Sequence, residues 1–372
     1  MLHAGWHNVN GHGMRRFPEK TVRDYCVIGN GLIGAAVALE LAQKSRSVCV
    51  LGAAYGDEDK YYSSHEDDSR IVRCWHSDSY WENLTRRNLE RLDSLVADTG
   101  VPLFRSTPVL YRYPVGLQPI GSSLRRWDLT SNHNWAGRFD FEDERGGIIE
   151  PKLYIAALNQ EAEKRGAQVV RCVVRNICWK NGNAVISTSA GELECRQVVD
   201  VRGVMFQESS VKVEAEVVGK ILLYVESQST NVGEPFCFVD CDCGAEEFQD
   251  MYGIWSYNAK DGRTVSKYGF SERHPVRLRG ADQISEWFQS GYKQYPYLEA
   301  ARILVERMYL GSKYQVDIKP CAFVVTANKR PVFLFDEQYA VVTGCNGMAA
   351  KCCQALAEDF VSKWEAMSSV AV

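Results

Sequence analysis

The chain has no apolar run approaching the roughly 18–20 residues that cross a bilayer as a helix. Its most apolar early stretch, after Gly31, is broken at Glu40. The first twenty residues, MLHAGWHNVNGHGMRRFPEK, contain no uninterrupted apolar segment of the kind that opens a secretory signal. A basic surplus is also missing: 43 Lys and Arg stand against 47 Asp and Glu, a formal net charge of -4. Without a basic stripe, neither nucleic acid nor an anionic membrane is an expected partner, and a small molecule fits better. Thirteen cysteines are present, yet no CxxC pair occurs. The cluster Cys237, Cys241 and Cys243 and the pair Cys352 and Cys353 have no histidine at finger-like spacing, so no metal is expected and the cysteines read as reduced core residues. The chain ends SSVAV, which gives no support for peroxisomal import by an SKL-type signal, and the expected compartment is the cytoplasm.

What remains is an ordinary globular composition, 45% hydrophobic and 24% charged over 372 residues, enough for one large or two medium domains. Residues 1–23 read as a disordered tail. In DYCVIGNGLIGAAVALELAQKSRSVCVLGAAYG, a short apolar strand from Tyr25 to Gly29 precedes helical periodicity from Leu32 to Lys44. A second valine-rich strand follows from Ser47 to Leu51. An amphipathic helix capped by Asp78 or Ser79 and stopped by Gly100 comes next. Another helix, with Pro151 in its first turn, ends at Gly166 and leads into a valine-rich strand.

From Val211 to about Gly269 the pattern changes to short alternating runs such as KILLYVES and PFCFVD, which predict a mostly antiparallel sheet. Helices are expected at Ile284–Tyr292 and Leu298–Tyr309, strands at Cys321–Thr326 and Tyr339–Thr343, and a last helix from about Gly347 to Met367. The return to strand, glycine turn and helix implies that the end of the chain rejoins its beginning. The expected fold is α/β: a Rossmann-like dinucleotide domain (24–110, 146–210 and 325–372) interleaved with a mostly antiparallel substrate domain (111–145 and 211–324).

The spacing GxGxxG places Gly29 at a tight turn, Gly31 where main chain approaches a pyrophosphate, and Gly34 where the helix packs on the strand. The free N–H groups of the helix end then face the phosphates. At the end of the second strand, where a carboxylate usually binds the adenosine ribose, the chain has Gly52. Losing a charge-assisted bond weakens binding by about 1.5–3 kcal/mol unless something replaces it. Asp57 and Glu58 are near enough in sequence to substitute, though a solvated loop is the simpler role for them.

Four separated patches resemble the flavin-dependent amine and amino-acid oxidases of the D-amino-acid oxidase superfamily, most closely the monomeric sarcosine oxidase branch. The first, SSHEDDSRIVRCW, is similar to that branch's SxHGDTRIIR segment. The resemblance sets Arg70 against the flavin, with Ser69 replacing a threonine, and Arg73 at the substrate carboxylate, where a guanidinium fork binds bidentately. Glu66 stands in place of a histidine. In the second, MYGIWSYNAKDGRTVSKYGFSERH, Lys267 matches the lysine that assists the reaction of reduced flavin with oxygen, and Tyr252 matches a pocket tyrosine. Trp255 replaces a proline and Ser271 a histidine, so a different pocket shape is expected.

The third patch, IKPCAFVVTANKRPVFLF, puts Cys321 on the cysteine that carries flavin through a thioether, with Lys319 as a source of activating charge. The fourth, VVTGCNGMAAKCCQALAEDF, aligns Gly344 and Gly347 with a cofactor-binding turn and Lys351 with the lysine that joins the arginine at the substrate carboxylate; Met348 to Ala350 depart from the pattern. The resemblance implies an FAD-dependent oxidase, monomeric, with FAD joined to Cys321, that oxidises the C–N bond of a secondary or cyclic amino acid and reduces O2 to hydrogen peroxide. A flavin dehydrogenase with another acceptor and a catalytically degenerate flavin-binding scaffold stay open as alternatives. A nicotinamide dehydrogenase accounts for the first fifty residues alone.

Overall fold

The computed structural model describes residues 22–44, 46–52, 68–114, 125–126, 139–143, 145–208, 211–227, 235–258, 264–309 and 313–370. The expected tail thus lies almost wholly outside the described residues. Arg23, placed in that tail by the sequence pattern, opens the first strand, Arg23–Ile28, and its guanidinium donates to Oε1 of Gln168 at 2.7 Å.

The architecture is mixed α/β. Arg23–Ile28, helix α1 (Leu32–Gln43) and Val48–Gly52 form the opening βαβ unit, with Val27 paired to Val50 in parallel. Every residue from Ala35 to Ala42 is buried, Glu40 among them through its ion pair with Arg91, and a helix so largely apolar belongs inside the protein. The strand Gln168–Arg171 extends the sheet beyond Val48–Gly52. On the other side come Gly191–Asp200 and then Tyr339–Thr343, both parallel to the first strand's direction. The end of the chain therefore lies in the sheet that its beginning starts.

Helix α2 (Ser79–Thr99) is capped by Asp78, whose carboxylate accepts from the N–H of Tyr80 at 3.0 Å, and closed by Gly100 at φ 68. Helices α3 (Pro151–Lys164) and α6 (Ala349–Val370) pack with α1 over one sheet face, in a core that includes Leu39, Tyr154, Leu158, Phe360 and Trp364.

The second sheet is mostly antiparallel. Tyr314–Val325 lies at one edge, followed in order by Glu216–Ser227, Thr264–Glu272, Phe248–Asn258, Phe236–Asp240 and Val109–Arg112, the last two pairing in parallel. Side chains alternate between its faces. Leu223, Val225, Phe238 and Phe270 face a core covered by helices α4 (Gly280–Gln289) and α5 (Leu298–Glu306). Leu222, Tyr224, Val239 and Ile254 point the other way. The edge strand begins at Tyr314 rather than at Cys321, and Pro320 sits within it. Proline is tolerated there because the strand is hydrogen-bonded on one side only, to Glu216–Ser227. Among the described residues no helix is long and apolar enough to cross a membrane.

Candidate functional site

A cavity of about 420 Å³ lies between the ends of the parallel strands and the open face of the second sheet. One wall is main chain. A Cβ on Gly29 would stand 2.6 Å from the carbonyl oxygen of Val201, and one on Gly34 would overlap the carbonyl oxygen of Gly29. Gly31 caps α1, so the free N–H groups of that helix open onto the cavity. The acid missing at Gly52 has a steric reason: a Cβ there would lie 2.5 Å from Cβ of Asn30 and 2.8 Å from its backbone nitrogen. Asn30 Oδ1 is buried without a hydrogen-bond partner among the described residues. A glycine cradle, a helix amino end and an unsatisfied buried acceptor together fit a bound dinucleotide. Asp57, Glu58 and Glu66 lie outside the described residues.

The facing wall is charged. Lys267 is buried, and its ammonium donates to the carbonyls of Asp68 and Ser69 at 2.5 and 2.6 Å and stands 5.7 Å from the Tyr224 ring. It thereby ties the second sheet to the Ser69–Arg73 segment. Ser69 is wholly buried at φ 48, a sparsely populated conformation for a residue other than glycine, and its hydroxyl bonds the Glu150 carboxylate. Arg70 Nη1 donates to the Ser69 carbonyl at 3.2 Å, and its side chain lines the cavity.

Arg73 also lines the cavity, near Tyr111 and Asp250. Burial opposes its charge, but Tyr111 and Asp250 outweigh that and raise its pKa. The turn after it is fixed by the wholly buried Asp143, whose Oδ2 accepts from the N–H of Cys74 at 2.6 Å and of Trp75 at 2.7 Å. Its Oδ1 accepts from the N–H of Arg145 at 3.2 Å. No local pattern marks Asp143, which is 70 positions from the arginine it serves to place.

Lys351 projects from the first turn of α6 and is only 8% exposed. Burial, and next the charge of Arg73, push its ammonium down to about 7. His76, also buried, is held neutral by burial and by Lys351 and Arg73. Gly344 (φ 72) and Gly347 (φ 74) flank Asn346 (φ 50) in the turn before α6. Asn346 pins that turn: its Oδ1 accepts from the N–H of Thr326 at 3.1 Å and its own N–H donates to the Val324 carbonyl at 3.0 Å.

Two expectations about neighbours change. Trp255 does not shape the cavity; it faces the helix-covered core, stacked 5.4 Å from Tyr309, because it falls on the opposite strand face from Tyr252. Tyr252 does line the cavity, its ring lying over Gly269, where a Cβ would overlap it. The cation facing Cys321 is Lys220, its partner in the strand register, whereas Lys319 sits 4.4 Å over the Tyr224 ring. Lys220 went unnoticed because its run, GKILLYVES, reads simply as a strand. It is buried, donates to the Phe270 carbonyl at 2.9 Å, pairs with Glu272, and is pushed by burial down to about 8. Cys321 lines the cavity and its carbonyl accepts from Trp287 Nε1 at 3.0 Å.

The structure thus brings Gly29, Gly31, Ser69, Arg70, Arg73, Tyr252, Lys267, Cys321, Gly344, Gly347 and Lys351 to one cavity, with Gly34 packed directly behind it. A family model described as FAD dependent oxidoreductase matches residues 24–360. No curated protein sequence matches the chain. Among solved structures, the Tyr258Phe mutant of NikD, an unusual amino acid oxidase essential for nikkomycin biosynthesis, is 15% identical with a TM-score of 0.67, covering 92% of this chain and 95% of that one. L-proline dehydrogenase from P. horikoshii is 14% identical with a TM-score of 0.68, over 91% and 92% of the two chains. Glycine oxidase from Bacillus cereus is 16% identical with a TM-score of 0.59, over 92% and 97%. At these identities the likeness is one of fold.

Proposed function

The chain belongs to the FAD-dependent oxidoreductases of the DAO family, and from that premise we propose that it is an oxidase of a secondary or cyclic amino acid, of the sarcosine oxidase-like branch. It would oxidise the C–N bond to an imine and reduce O2 to hydrogen peroxide. The observation that carries this reading is the pairing of Arg73 with Lys351: two cations share a buried corner closely enough for one to depress the other. Two such charges with no carboxylate in an ion pair with either among the described residues form an anion site, and a substrate carboxylate is the natural occupant.

Residues 24–110, 146–210 and 325–372 would hold FAD, with Gly29, Gly31 and Gly34 at its pyrophosphate, Ser69, Arg70, Gly344, Gly347 and Lys351 about its ring, and Cys321 as the attachment point. When bound, FAD supplies the two-electron redox chemistry. Residues 111–145 and 211–324 carry the substrate side. Arg73 and Lys351 orient the α-carbon by holding the carboxylate, and Tyr252 packs beside it. Lys267 places a buried positive charge where oxygen is reduced. Lys220, facing Cys321, supplies the cation that favours a thiolate there.

Incubation of the purified protein with sarcosine, L-proline, L-pipecolate and related amino acids should release hydrogen peroxide with at least one of them, and Lys267→Met should slow that release. Oxidation that proceeds with a dye acceptor but never with O2 would replace the oxidase by a dehydrogenase. Acid precipitation tests the attachment: yellow colour should stay in the pellet and leave it in Cys321→Ala.

A further inference from the structure

Asp250 occupies the strand Phe248–Asn258, opposite Ser271 and two residues before Tyr252, on the face that lines the cavity. It is the one carboxylate among the described residues of that lining, in the company of Arg70, Arg73, Arg202, Lys220, Lys267 and Lys351. Four of those six cations are already engaged: Arg202 on Asp200 at 2.7 Å, Lys220 on Glu272, Lys267 on two carbonyls and Arg70 on the Ser69 carbonyl at 3.2 Å. The Asp250 carboxylate accepts no hydrogen bond and forms no ion pair within the described residues, although its charge reaches both Arg73 and Lys220 and favours the charged form of each, at Lys220 against the larger effect of burial. A partly buried carboxylate with open acceptor capacity beside a carboxylate-binding arginine is complementary to a ligand that carries both signs of charge a short distance apart.

We propose that Asp250 is the specificity residue for the substrate's cationic nitrogen, receiving the ammonium of an amino acid whose carboxylate lies on Arg73 and Lys351. The inference rests on the reading of this corner as an amino-acid site. It explains how a cavity so rich in cations distinguishes an amino acid from a simple carboxylic acid, which Arg73 and Lys351 alone would bind equally well.

The test uses two ligands of one shape in the FAD-loaded protein, L-proline and tetrahydrofuran-2-carboxylate, in which an ether oxygen replaces the ammonium. Binding is read from the flavin absorbance at mildly acidic pH. The wild type should prefer L-proline by about tenfold or more. Asp250→Asn, of the same shape, should lose that preference, with the ether acid bound as well as before or better because a repelling carboxylate has gone; Asp250→Glu should keep it. An unchanged preference in Asp250→Asn overturns the proposal, as does a wild type that takes up L-proline no better than the ether. If the preference depends on Asp250 yet no amino acid is ever oxidised, the catalytic reading fails while this one stands.

Discussion

The wall of the cavity beneath α1 is built of main chain, and the wall that faces it is built of charged side chains. On the first, Gly29, Gly34 and Gly52 bring backbone so close to backbone or to Asn30 that no side chain fits, and Arg202 there is paired with Asp200. On the second, Arg73, Lys220, Asp250, Lys267 and Lys351 come from separate stretches of the chain, and Lys220, Lys267 and the turn after Arg73 are held by contacts far away in sequence. The first wall is intolerant of volume and the second of lost partners. Each should therefore fail in its own way.

The most severe failure expected is Gly34→Val. Its Cβ would overlap the Gly29 carbonyl oxygen, so α1 could not approach the first strand. The purified variant should carry no flavin absorbance; full flavin content would break the claim that close backbone contact governs this wall. On the opposite wall the corresponding blow is Asp143→Leu, which leaves the N–H groups of Cys74, Trp75 and Arg145 without their acceptor. Each orphaned donor costs about 1–3 kcal/mol. The urea unfolding midpoint should fall by a corresponding amount, and carboxylate binding should weaken because Arg73 loses its footing. An unfolding curve like the wild type's would show that Arg73 is held by other means.

A gentler test of the charged wall is Lys351→Met. The Lys351 ammonium titrates at about 7, so below that pH it is charged and attracts a carboxylate, and as pH rises past about 7 it becomes neutral and the attraction fades. Wild-type affinity for tetrahydrofuran-2-carboxylate should accordingly decline above neutrality. The methionine variant should bind it about 10–100-fold more weakly at mildly acidic pH, the worth of one charged hydrogen bond, and with a flat profile. A decline that persists in the variant would assign the titration to another group.

The same division decides what could be read from the sequence. The backbone wall was legible because glycine spacing, strand periodicity and helix caps are local: GNGLIG, the Asp78 and Gly100 caps and the strand–turn–helix at the chain's end all stand in the structure where the pattern puts them. The charged wall was legible only through resemblance, since nothing local shows that Lys267 is buried against Ser69 or that Lys351 faces inward from a first helical turn. Three residues were invisible or misread for the same reason. Asp143 and Lys220 act across the fold, and Trp255 lies one strand position from a cavity residue, which turns it to the other face. Strand parity, applied outward from Tyr252, would have found both Trp255's orientation and Asp250.

The smallest effect concerns the place where the backbone wall lacks its acid. A carboxylate cannot be restored at Gly52, because its Cβ would press on the Asn30 backbone nitrogen as well as on the side chain, so even Asn30→Gly would not make room for Gly52→Asp. The acceptor still present is Asn30 Oδ1, buried and without a partner among the described residues. If it accepts a hydrogen bond when FAD is in place, Asn30→Ala should weaken FAD by the worth of one neutral bond, about 0.5–1.5 kcal/mol or up to roughly tenfold. The comparison has to be made in a Cys321→Ala background, where attachment cannot mask affinity, by titrating FAD into the stripped protein. Equal affinities with and without the amide would mean that the turn holds FAD by its backbone alone, and would make the contrast between the two walls complete.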